Sequence, residues 1–172
     1  MKVKILEVDS NQLINAEIRE GKKKEIPSLT NGWSFDFSKH SLAKGRRAFV
    51  LVREESSTII EGCMIFSMHE TFGAFMDYLE VAPHNWGREG KYKRVAGCLI
   101  AYACRLSFKE GIGFNKGILT FKAFAEHEDS ERYLEDLYRT KYMAARNPFG
   151  YMEIYHDQSK LLISEYLNND EE

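Results

Sequence analysis

The chain has three prolines and three cysteines in 172 residues. It lacks any apolar run near the ~20 residues that a helix needs to cross a bilayer. Its opening, MKVKILEVDS, has no long apolar stretch of the kind that makes a signal peptide. These absences argue against a membrane partner and for a cytoplasmic location. The cysteines Cys63, Cys98 and Cys104 are odd in number and share no tight spacing. They read as small buried hydrophobes in a reducing compartment, not as a disulfide framework. The histidines (His40, His69, His84, His127 and His156) show no HxxxH spacing, so no metal site is expected. Neither sign of charge dominates. The net charge is −2 and the pI about 6.2, which argues against nucleic acid as a general partner. Internal repeats and low-complexity linkers are absent too.

What the chain does have is material for a core. Hydrophobic residues make up 44% and aromatics 13%. A chain of this length buries roughly 70% of its unfolded surface. One domain is expected over 1–172, with a frayed acidic tail at NNDEE.

The order of elements follows from periodicity. KVKILEV suits an opening strand, and NQLINAEIRE reads as a helix of moderate strength. EGKKKEIPSLTNGWSFDFSKH has no steady period. It suits a loop or short helix that places Trp33, Phe35 and Phe37 over a core edge. AFVLVREE and STIIEGCMIFSM form a hairpin turning near Glu55–Ser57. Ile60, Gly62, Met64, Phe66 and Met68 share one face of its second strand, and Ile59, Cys63 and Ile65 the other. Both faces are mostly apolar, which makes that strand central. GAFMDYLEVAP is a strand ended by Pro83. VAGCLIAYACRLSF is a helix with Val95, Leu99, Tyr102, Ala103 and Leu106 at helical spacing, stopped by Gly111 and Gly113. GILTFKAF is a strand, and DSERYLEDLYRTKYM a charged helix with Asp129 or Ser130 as cap. YMAARN and GYMEIYH pair as strands, and SKLLISEYL closes as a helix.

The stretch LEVAPHNWGREGKYKRVAGCLIAYA, residues 79–103, concentrates glycine and positive charge where a strand hands over to a helix. A helix start presents unpaired N–H groups and about half a positive charge, a cradle for phosphate oxygens. Glycines let the backbone approach closely, and Arg88, Lys91, Lys93 and Arg94 add charge. The pattern is no Walker loop, since no GKS or GKT follows the glycines. It is no dinucleotide fingerprint, since no GxGxxG opens the helix. A solvated basic face on an ordinary strand–helix junction is the other reading.

LEVAPHN followed by KYKRVAGCLIAYA resembles the core of the GNAT acetyltransferase superfamily. In that family a strand ending L-x-V-x-P leads into a Q/R-x-x-G-x-G/A loop and then a helix. Leu79, Val81 and Pro83 match the strand. Lys91 stands where Gln or Arg is usual, Arg94 where the first Gly is usual, and Ala96 matches the final Gly/Ala. The insert HNWGREG lengthens the loop. EDLYRTKYM resembles the family's L-Y-E-K-x-G-F segment, with Leu137, Tyr138 and Met143 in register and Tyr142 in place of Gly. The resemblance covers about residues 49–154.

It implies a mixed α+β (α/β) fold with a mostly antiparallel sheet, splayed middle strands and helices on both faces. Residues 1–47 would be a variable N-terminal segment, 48–156 the acyl-CoA-binding core, and 157–172 a C-terminal helix and tail. It implies acetyl-CoA as cofactor, held by Leu79, Val81, Lys91, Tyr92, Lys93, Arg94, Val95, Ala96 and Gly97. Main-chain groups near Val81 would pair with the pantetheine arm. Tyr138 would be the general acid. The base would be Asp77 or Glu80, which strict alternation puts on opposite faces, with Asp77 on the face of Leu79 and Val81. The activity implied is acetyl transfer to a primary amine, small-molecule or protein. Homodimerisation is left open. Two other readings stay open: an inactive coenzyme-A-binding or protein-interaction module of the same fold, and a phosphate- or RNA-binding domain, which the acidic pI opposes.

Overall fold

The computed structural model describes residues 1–124 and 128–167, without the side chains of 128–130. His127, the caps expected at Asp129 or Ser130, and the NNDEE end lie outside the described residues.

One nine-stranded sheet runs through the molecule in the order β6-β1-β2-β3-β4-β5-β7-β9-β8. Its strands are β1 (Lys2–Glu7), β2 (Gln12–Glu20), β3 (Arg46–Arg53), β4 (Ser56–His69), β5 (Gly73–Val81), β6 (Tyr92–Lys93), β7 (Leu119–Phe121), β8 (Ala145–Arg146) and β9 (Met152–Ile154). Every pairing is antiparallel except β5 with β7. The helices are α1 (Phe37–His40), α2 (Val95–Glu110), α3 (Glu128–Tyr142) and α4 (His156–Leu167).

The segment read as a helix at NQLINAEIRE is instead the strand β2. It is rich in helix formers, but its Ala16 and Ile18 fall on one face at period two and are fully buried. Pairing with β1 on one side and β3 on the other outweighs the local preference.

Two cores lie on either side of the sheet. One contains Phe49, Leu51, Met64 and Phe66 from the strands, with α2, α4 and Tyr142 of α3 packed over them. The other contains Val50, Cys63 and Ile65, covered by Trp33 and Phe37 from the N-terminal segment. The aromatic plugs expected from the sequence therefore sit where they were placed, with Phe35 packed at their rim. Strand β4 is buried on both faces, as its composition predicts. Its register against β3 shifts twice near its start, between Leu51 and Val52 and between Val52 and Arg53. Gly62 pairs with Leu51 and Ile60 with Val52, so Glu61 is an extra residue, a β-bulge. The bulge moves Ile60 onto the Cys63 side and draws Glu61 fully inside.

Helix α2 lies close on the sheet because β4 has a glycine beneath it. A Cβ on Gly62 would come within 2.6 Å of Val95 and 2.9 Å of Leu99. All three cysteines are free and buried. Burial pushes the Cys98 and Cys104 thiols up to about 12, against about 8.5 in an unfolded chain. The folded state then keeps protons that the unfolded state gives up. Stability is thus level below pH ~8.5 and falls as pH rises toward 12. Urea midpoints measured at pH 7, 9 and 10.5 should decline in that order, and a flat series would contradict the assignment.

Candidate active site

Strands β5 and β7 pair only over Ala74–Met76 and Leu119–Phe121. Beyond Met76 β5 continues to Val81 while β7 has ended, so the sheet opens between them. A cavity of about 140 Å³ sits in this gap, lined by Phe35, Met76, Asp77, Tyr78, Leu79, Lys122, Phe124, Leu134 and Tyr138. Leu79 and Tyr138 pack against the helix-side core, whereas Phe35 and Tyr78 pack against the core on the other face. The gap therefore connects the two faces of the sheet.

A second bulge shapes the wall. Ile65 pairs with Tyr78 and Phe66 with Met76, leaving Asp77 as the extra residue. Asp77 forms an ion pair with Arg46 Nη2 at 2.8 Å and accepts a hydrogen bond from Ser67 Oγ at 2.6 Å. Arg46 and Ser67 are register partners on the face of Tyr78. This corrects the sequence reading. Asp77 does not share the face of Leu79 and Val81; the extra residue turns it to the side of Tyr78 and Glu80. Glu80 accepts from the Ser34 amide at 2.9 and 3.1 Å and from the Phe35 amide at 3.1 Å, so its carboxylate ties down the N-terminal segment.

Tyr138 reaches the gap from α3, its ring 4.7 Å from Phe121 and 6.0 Å from Tyr142. Burial pushes its phenol up to about 12, so it stays protonated across the ordinary pH range.

The main chain of β5 offers polar groups to the gap. The Ala82 amide donates to Glu61 O across the β4 side. Alternation then turns the N–H and C=O of Leu79 and Val81 to the open side. One of these is already engaged: Trp86 Nε1 donates to Val81 O at 2.9 Å.

Next to this edge α2 begins without a side-chain cap. Its first N–H groups, those of Val95, Ala96 and Gly97 among them, have no partner within the helix. Arg94, at the position where the resembling family has glycine, has φ 71°, the left-handed conformation that glycine favours. Its guanidinium turns toward α4, donating to Glu165 O at 2.7 Å and lying 4.8 Å above the Tyr166 ring. Gly97 is required by the same helix, since a Cβ there would fall 2.1 Å from Tyr166 Cε1. Lys93 Nζ donates to Gly87 O at 2.5 Å, while Lys91 is exposed. Tyr92 is buried, and its amide donates to Asn85 Oδ1 at 3.0 Å.

The loop before α2 is anchored from below by the buried Glu61. Its carboxylate receives Arg53 Nε at 2.8 Å and Asn85 Nδ2 at 2.9 Å, and lies 2.6 Å from His84 Nε2. Sequence reasoning missed this anchor, as well as Phe124, Lys122, Tyr78 and Arg46 at the gap. A bulge leaves no mark in a single sequence beyond a charged residue inside an apolar strand, which Glu61 and Asp77 both are. Among the described residues no three His, Cys, Asp or Glu side chains converge as metal ligands. No described helix is long and apolar enough to cross a membrane.

No family model and no curated protein matches the chain. Solved structures do. The KacTA–DNA complex superposes with a TM-score of 0.57 at 11% identity, over 87% of this chain and 99% of that one. AtaTR bound with AcCoA gives 0.55 at 15% identity, over 86% and 97%. The spermidine/spermine N-acetyltransferase SpeG from Vibrio cholerae gives 0.52 at 14% identity, over 91% and 99%. The splayed sheet, the uncapped helix start beside it and these superpositions agree: the chain has the fold of the GNAT acetyltransferases.

Proposed function

We propose that the protein is an acetyl-CoA-dependent N-acetyltransferase that acetylates a primary amine by direct transfer. The observation that carries this reading is the gap between β5 and β7. It links an uncapped helix start with free main-chain groups on one side to a carboxylate and a ring-lined mouth on the other.

The residues present fit acetyl-CoA. The diphosphate would lie against the amides of Val95, Ala96 and Gly97, with Lys91 and Arg88 supplying charge. The pantetheine arm would run along Leu79 and Val81, with the Trp86 indole giving way at Val81 O. Bound there, acetyl-CoA supplies the thioester carbonyl that the amine attacks. Asp77, the one carboxylate lining the gap among the described residues, takes the proton from the ammonium. Tyr138 gives its proton to the departing sulfur. One N–C bond forms, one C–S bond breaks, the nitrogen gives its second proton to solvent, and the two side chains re-equilibrate their protons with solvent. Glu80, held by two backbone amides, orients the Ser34–Phe35 wall and leaves the base role to Asp77 or a water it holds. The reading places the protein in the cytoplasm, in accord with its three free thiols.

A second reading is an inactive coenzyme-A-binding module. It is favoured by Trp86 on Val81 O and by Arg94 at the glycine position. One experiment separates the two. Acetyl-CoA at 100 times its Kd stabilises the native state by about 2.7 kcal/mol, seen as a rise in Tm. Amine-dependent release of free thiol then marks the enzyme. A Tm rise with no thiol release for any amine marks the binder, and no rise at millimolar acetyl-CoA removes both.

A further inference from the structure

A second and larger cavity, of about 290 Å³, lies toward the start of β7, whereas the gap lies past its end. The two share no lining residue. Thr120 of β7 and Glu153 of β9 line it side by side as register partners. Their chain neighbours Leu119, Phe121, Met152 and Ile154 all belong to the helix-side core, so alternation turns Thr120 and Glu153 to the opposite face. Among the described lining residues Glu153 is the only charged one. No described Lys, Arg or His pairs with it. Arg146, close by in β8, is the register partner of Met152 and reaches Glu135 of α3 at 3.2 Å. Lys116 and Glu70, chain neighbours of the lining residues Asn115 and Thr71, are of opposite sign.

The Glu153 carboxylate is held in place by its neighbours. Asn147 Nδ2 donates to its Oε1 at 2.9 Å, and the Tyr155 hydroxyl hydrogen-bonds to the same group. Asn147 is fixed in turn, since its Oδ1 accepts from the Phe149 and Tyr151 amides at 3.0 Å each. A carboxylate has about four acceptor sites, so about two remain for a ligand. The walls are aromatic. Phe149 is 76% exposed, and its ring lies 6.3 Å from that of Phe72 at 66°. Thr120 is buried, and its hydroxyl has no partner among the described residues.

We propose that this cavity is a second ligand site, one that takes a small organic cation of the alkylammonium class. The site stands independently of the transferase reading. The cation meets Glu153, and its alkyl groups lie against the ring faces of Phe72 and Phe149, where charge and ring quadrupole attract each other. An apolar molecule would strip water from Glu153 without offering it a partner, and an anion would be repelled by it. The volume is close to the lower limit of roughly 300 Å³ for ligand pockets, which keeps the ligand small.

The test titrates choline and its uncharged isostere 3,3-dimethylbutanol into the full chain, by calorimetry and by amide NMR. Choline should bind about tenfold more tightly than the alcohol and shift the amide signals of Thr120 and Phe149. Glu153→Gln keeps an acceptor for Asn147 and removes the charge, so it should abolish the preference. Phe149→Leu, at an exposed position that spares the fold, should weaken choline several-fold. Asp77→Asn removes the carboxylate of the gap and should leave choline affinity unchanged, which separates the two sites. The proposal is overturned if the alcohol binds as tightly as choline, or if choline does not bind at tens of millimolar. Choline binding that survives Glu153→Gln, or that is lost in Asp77→Asn, overturns it too.

Discussion

Tyr138→Phe lowers kcat by about 100-fold and leaves the affinity for acetyl-CoA nearly unchanged. The replacement keeps the ring that packs on Phe121 and Tyr142 and removes only the hydroxyl. Loss of a positioned proton donor acts in the transition state, where sulfur gains charge, so it shows in kcat and not in KM. The pH profile sharpens the test. With its phenol pushed up to about 12, Tyr138 holds its proton at every pH where the enzyme is assayed. The alkaline side of the wild-type profile up to pH ~10 is therefore not set by this tyrosine, and the variant should show the same shape at a lower level. Thiol release measured against pH for both proteins checks this. An unchanged rate would take Tyr138 out of the mechanism.

Glu61→Ala should be the most destabilising single change, at about 3–5 kcal/mol. The carboxylate has no solvent exposure and satisfies Arg53, His84 and Asn85 together. Removing it leaves the partly buried Arg53 guanidinium and the buried Asn85 amide without their partner, which costs more than the attraction contributed. The damage also reaches the loop before α2. Asn85 bridges Glu61 to the Tyr92 amide, and the Lys91 amide donates to His84 O, so this loop is closed from beneath by one side chain. The variant should melt at a Tm lower by more than 5 °C and bind acetyl-CoA more weakly than its residual stability alone explains. Glu61→Gln, which keeps the shape and most acceptors, should fall between the two. A melting curve and acetyl-CoA affinity like those of the unaltered protein would show that Glu61 anchors nothing.

Much of this architecture can be read from residue order. The central strand β4 follows from two apolar faces, and α2 from Val95, Leu99 and Leu106 at helical spacing. The aromatic plugs Trp33 and Phe37, and the glycine- and lysine-rich turn before α2, are equally local. The resemblance carried by Leu79, Val81, Pro83, Ala96 and Tyr138 led to the right fold. The reading failed at β2, where helix-forming residues make a strand between two neighbours. It failed again at Asp77, where one extra residue reverses the face.

The sequence by itself determined which segments are apolar at which period, where the chain must turn, and that a helix starts among glycines and basic residues. These depend on neighbours three or four positions away. The tertiary structure alone decided the bulges at Glu61 and Asp77, the gap between β5 and β7, and the engagement of Glu80 and Arg94 by distant main chain. Each depends on which strand lies beside which: the bulges on pairing across a hairpin, and the gap, Glu80 and Arg94 on contacts between residues dozens of positions apart. No local pattern encodes that an acid on a strand will face a cleft, a lysine or a backbone amide.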